Sequence, residues 1–151
     1  MTDVSSKITI LIELAKAYFP LAHNTLIERH DELLRIMDIK STKHEKHPHQ
    51  DSRVYISRRA LKHFVEKRKA ELSKYHKEED SLLKICSAIE QIPEIIVNFD
   101  KYEYEYNPEK HFYIKHYSGE PSIRVLCEIS KEHTGNLEIC SLHFTKSKKD
   151  K

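Results

Sequence analysis

Apolar residues recur at helical spacing early in the chain and at a spacing of two late in it. Ile8, Leu11, Ile12, Ala15 and Phe19 fall on one face of a helix that Ser5 or Ser6 can cap and Pro20 closes. Leu26, Ile27, Leu33, Leu34 and Met37 continue the pattern, so residues 1–40 read as an N-terminal helical hairpin. The apolar signal then stops. Every residue from Ser41 to Ser52 is polar or proline, with His44, His47 and His49 among charges, which predicts a solvated, histidine-rich linker over 41–52.

Beyond it, Val54-Tyr55-Ile56 reads as a short strand, and Ser57 can cap a helix carrying Leu61, Phe64, Val65, Leu72 and Tyr75 on one stripe. Asp80 or Ser81 caps a further helix through Leu82, Ile85, Cys86, Ile89 and Ile92, expected to end near Pro93. From Tyr102 the pattern alternates, with turn signals at Asn107-Pro108, Ser118-Gly119-Glu120-Pro121 and Gly135-Asn136. The expected product is an α+β domain over 53–146, a four-stranded antiparallel meander packed on helices, followed by a basic tail over 147–151.

Alternation also assigns faces. Ile123, Val125, Cys127 and Ile129 should look toward the helices, joined by Phe112 and Ile114 and by Cys140, Leu142 and Phe144. The opposite face would then carry His111, Tyr113, Lys115 and Tyr117, Arg124, and Ser141, His143 and Thr145. Cleaving RNA without a metal needs a base for the 2′-hydroxyl, an acid for the leaving oxygen and cations for the phosphorane, and these side chains supply all three. Arg124 and Lys115 would hold the phosphate, with Tyr117 and Ser141 also contacting RNA. His143, His111 and Tyr113 would serve as acid and base, and Thr145 would position the phosphate. The same residues also fit the ordinary wet face of an antiparallel sheet, or a non-catalytic module binding RNA or protein there.

Composition trims the alternatives. The 151 residues, 38% of them hydrophobic and 33% charged, suit one core-forming domain with a net charge of only +2. Two glycines cannot build a phosphate-cradling loop, and no apolar run is long enough to cross a bilayer. The start Met1-Thr2-Asp3-Val4 lacks the positive charge of a signal peptide. Cys86, Cys127 and Cys140 form no close pair, so a reducing cytoplasm and buried core thiols are expected. Of 11 histidines, the three in the linker are too loosely arranged for a structural metal site, and no cofactor is expected.

Other constellations are weaker. Arg58 and His63 match the Arg-x4-His spacing of all-helical nucleases, but the terminal strands argue against that fold. His30-Asp31 lacks the companions of a metal-dependent phosphohydrolase. Tyr102, Tyr104 and Tyr106 with Glu103 and Glu105 read as an edge strand with solvated acids, either of which is an alternative general base.

The run Val54-Tyr55-Ile56-Ser57-Arg58-Arg59-Ala60-Leu61-Lys62-His63-Phe64-Val65-Glu66, with His111–Lys115 and Ile139–Thr145, resembles the phage-associated branch of the barnase–EndoU–colicin–RelE-like nucleases. The resemblance covers roughly 53–146. It implies a metal-independent endoribonuclease, often a toxin with a cognate inhibitor or immunity protein, using Lys62, His63, Arg124 and Ser141 or Thr145. Helical geometry turns His63 about 200° from the stripe of Leu61 and Val65, toward solvent. The N-terminal helices, unexplained by the resemblance, are a candidate homodimer contact.

Overall fold

The computed structural model describes residues 4–40, 47–106, 108–130 and 135–145. The elements run α1 (Val4–Tyr18), β1 (Leu33–Asp38), β2 (Arg53–Ser57), α2 (Arg58–Leu72), α3 (Glu78–Val97), β3 (Lys101–Glu105), β4 (Lys110–Tyr117), β5 (Glu120–Ile129) and β6 (Asn136–Thr145). The class is α+β. Among the described residues it is built from three helices and one six-stranded mixed sheet ordered β1-β2-β6-β5-β4-β3.

The consecutive strands β3 to β6 pair antiparallel, but they are not the whole sheet. β2 adds parallel to the first half of β6, Val54 opposite Leu137 and Ile56 opposite Ile139, and β1 adds antiparallel to β2. The four-stranded expectation is corrected accordingly.

The predicted second helix is replaced by β1. Residues 21–32 form turns, and Leu33–Asp38 is too short a run for its apolar residues to separate the two periods. Pairing with β2 decides the outcome, so residues 1–40 are not a helical hairpin. α1 stands alone and buries Ile8, Leu11, Ala15 and Tyr18 in the common core. That leaves little of its apolar stripe for a dimer contact.

α2 begins where Ser57 Oγ accepts the Ala60 amide at 3.0 Å, and it buries Leu61, Phe64, Val65 and the stem of Arg68. α3 opens on Glu78, Glu79 and Asp80, which suit the positive end of a helix dipole. It runs through Pro93 rather than stopping there. A proline inside a helix costs about 3 kcal/mol, whereas full burial of an isoleucine contributes about 1.5–3 kcal/mol. Ile92, Ile95 and Ile96 are all fully buried, so packing carries the helix past the break. Gly119 sits at φ +71° in the β4–β5 turn, a backbone region that a Cβ disfavours. Among the described residues, no helix is long and apolar enough to cross a membrane.

Candidate functional site

Register divides the predicted site. In antiparallel strands, residues directly opposite share a face. His111 faces Cys127, Tyr113 faces Val125 and Lys115 faces Ile123, so these three lie on the helix side with the core. Tyr117, on the same side, donates its hydroxyl to Gln91 of α3 at 3.2 Å. Phe112 faces Leu126 and Ile114 faces Arg124 on the side away from the helices. This reverses the expectation for β4. Its four central residues, His111 to Ile114, are all buried, so alternation gave no wet face to choose by.

The side away from the helices keeps Arg124, His143, Ser141 and Thr145. Arg124 stands directly opposite His143, and Leu126 opposite Ser141. Between Leu126 and Cys127 the register shifts, with Cys127 opposite Ile139, so Cys140 is the extra residue of a β-bulge. Straight alternation placed Cys140 in the core with Leu142. The bulge instead lets Leu137, Ile139 and Leu142 all bury, while Cys140 stays half-buried beside Glu128 and Glu138. Burial and those carboxylates push its thiol up to about 12, so it is no nucleophile.

Two cations missed in the sequence complete this face. Arg68 reaches from α2 to the half of β6 that β2 leaves unpaired, its Nη1 donating to Leu142 O at 2.6 Å. Its signal was legible: Arg68 falls seven residues after Leu61, a charge on an apolar stripe. Lys110 shares the outer side of β4 with Phe112. His143 is held down to about 4, first by burial and then by the charges of Arg68, Arg124 and Lys110. Its Nε2 lies 3.4 Å from Ser141 Oγ, and Thr145 donates to Ser122 O at 3.4 Å. The Arg124 guanidinium lies 4.5 Å from the Phe112 ring centroid.

Among the described residues, Arg124 and Lys110 form no ion pair. Among the described residues, Arg124 Nε, His143 Nδ1 and Arg68 Nε are buried and have no hydrogen-bond partner. Arg68 Nε is 3.3 Å from the Glu71 carboxylate but is not aligned with it as a donor. Orphaned polar atoms cost about 1–3 kcal/mol each; of the four among the described residues, only Ser81 Oγ on α3 lies outside this group.

The remaining predicted residues lie elsewhere. Lys62 is buried in α2, ion-paired to Glu66 and donating to His23 O at 3.1 Å, so it ties the α1–β1 connection to α2. His63 is exposed, as its helical angle requires, and lines a groove of about 220 Å³ with His23, His30, Arg59 and Glu66. Lys115 donates to Asn98 O at 3.0 Å and sits 3.8 and 3.9 Å from Glu94 and Asp100, clamping the end of α3.

The linker reading also changes. His44 lies outside the described residues, but His47 and His49 are buried, 5% and 8% exposed. They pack with Phe99, Tyr102, His111 and Tyr113 where the end of α3 meets β3 and β4. β3 is an edge strand as expected, with Tyr102 turned into this cluster. Among the described residues, no group of three or more His, Cys, Asp or Glu side chains is arranged to hold a metal ion.

No family model matches the chain, and no curated protein or solved structure matches it.

Proposed function

We propose that the chain is a metal-independent endoribonuclease whose site is the helix-free sheet face around Arg124 and His143. One observation carries this reading: Arg124, free of any ion pair among the described residues, stands directly opposite His143 on adjacent strands. Arg68 and Lys110 add their charges at the same histidine. A spot with three cations beside a neutral imidazole suits a phosphodiester anion. The resemblance of Val54–Glu66 and the late strands to the barnase–EndoU–colicin–RelE-like nucleases supports the same class and the role of a toxin held by an inhibitor.

In this mechanism Arg124 and Arg68 neutralise the scissile phosphate. His143, whose Nε2 lies beside Ser141 Oγ, is the base for the ribose 2′-hydroxyl. Lys110 protonates the departing 5′-oxygen, leaving a 2′,3′-cyclic phosphate. His111, Tyr113, Lys115 and Tyr117 take no part, because they face the core.

A second reading has its own support. A base held near 4 has weak driving force at neutral pH, which favours a module that binds RNA on this face without turnover. Purified protein in excess EDTA, incubated with single-stranded RNA, separates the two. Cyclic-phosphate ends that vanish in both Arg124→Ala and His143→Gln support the enzyme. Salt-dependent binding without cleavage supports the binding module, and neither activity would sink both.

A further inference from the structure

The end of α2, one face of α3, the start of β5 and the end of β6 line a cavity of about 330 Å³. That volume suits a small molecule rather than a helix or a strand. The floor is apolar. Ile123 and Phe144, directly opposite each other on the helix side of β5 and β6, form it with Leu72 and Pro121.

The wall along α3 is polar. Lys84, Ala88 and Gln91 recur there at helical spacing, and the small, buried Ala88 leaves space that a larger side chain would fill. Two hydrogen-bond donors stand on this wall. Lys84 is half-buried, and among the described residues its ammonium forms no ion pair. Gln91 accepts the Tyr117 hydroxyl on its Oε1 at 3.2 Å, which orients the amide and presents Nε2 as a donor. Seven residues separate the two, about 10 Å along the helix axis.

We propose that this cavity binds a small organic carboxylate with a flat apolar body. Its ring lies on Ile123 and Phe144, its carboxylate meets Lys84, and a hydroxyl or carbonyl oxygen at its far end accepts from Gln91. The site is independent of the nuclease reading, because Arg124 and His143 form the next residue pair along the same two strands and face the other side of the sheet.

Charge selects this occupant. A purely apolar ligand would strand the half-buried ammonium away from water with no partner. Lys84 and His76 stand against one lining carboxylate, Glu120, which is exposed on the strand side and turns the ligand's charged end toward α3. The chain's own residues after Thr145, Lys-Ser-Lys-Lys-Asp-Lys, carry four lysines and one acid, a charge that Lys84 repels.

Amide chemical shifts of the full chain, titrated with 6-hydroxy-2-naphthoate, test the site. The amides of Ala88, Ile123 and Phe144 should move and saturate with a dissociation constant of about 1 mM or tighter. The neutral 6-hydroxy-2-naphthamide should move the same amides but bind about tenfold or more weakly, because it lacks the charge that Lys84 meets. Lys84→Gln should remove most of that difference. The comparison of acid with amide in the wild type needs no variant, so it decides even where Lys84→Gln fails to fold. No saturable shift at these amides would overturn the proposal. Equal affinity for acid and amide would do the same, as would an undiminished preference in Lys84→Gln. Shifts confined to Arg124 and Phe112 would put the anion on the other face of the sheet and sink the site. Cavity shifts that follow protein concentration without ligand would make a second copy the occupant instead.

Discussion

Arg124 and Phe112 are stacked, with the guanidinium 4.5 Å from the ring centroid, and the pair roofs the helix-free side of β4 and β5. Phe112 is buried, with this cation over its ring, although it lies outside the main core cluster. Arg124→Ala should therefore have two effects. Affinity for single-stranded RNA should fall by about tenfold or more, roughly 1.4 kcal/mol, and the slope of binding against salt should shrink by about one phosphate contact. Fluorescence anisotropy across a salt series reads both, and unchanged affinity removes Arg124 from the interface.

Acid should destabilise the fold well before the carboxylates titrate. His49 and His143 are both held down to about 4, whereas in the unfolded chain they take up protons near 6.5. Above pH 6.5 neither state binds the extra proton, and stability is full. Between 6.5 and 4 the unfolded chain binds protons that the folded chain refuses, so stability falls as pH falls. Urea midpoints should drop from pH 7 to pH 5, and less steeply in His143→Gln. A flat profile over that interval would contradict the buried, neutral state of both rings.

The cap of α2 is a single hydroxyl. Ser57→Ala removes the acceptor of the Ala60 amide and should cost about 1 kcal/mol. Ser57→Asp should recover most of it. Thermal melts of the two variants beside the wild type give the comparison.

Gly119 tests backbone conformation without packing. Nothing lies within 4 Å of where a Cβ would sit, so Gly119→Ala meets no clash. It should still lose roughly 1–2 kcal/mol because φ is +71°. An unchanged melting temperature would mean the turn adopts another conformation.

What was legible in the sequence followed one-sided amphipathicity. α2, α3 and the late strands have a single apolar stripe or a clear turn signal, and their order was readable. β1 was not, because Leu33–Asp38 is short enough to satisfy either period and only pairing with β2 decides it. The faces of β4 are not legible because His111 to Ile114 are all buried, and the place of Cys140 is not because a bulge interrupts the alternation. Within the site, Arg124, His143, Ser141 and Thr145 share a face as read. Arg68 interrupts the apolar stripe of α2, and Lys110 starts a strand whose burial marks no wet face. His47 and His49 look like solvated polar residues by composition. Their burial depends on backbone partners, Ile96 O and the His49 amide, that no side-chain pattern encodes.

The parallel pairing of β2 with β6 has a consequence in time. A ribosome makes β2 early and β6 last of the described elements, yet β6 is the strand that joins β2 to the rest of the sheet. Until it emerges, β1 and β2 lack their neighbour and Arg124 has no His143 beside it. Such distant pairing is slow to form. The face that sets Arg124 beside His143 is thus incomplete until β6 has been made and has paired with β5.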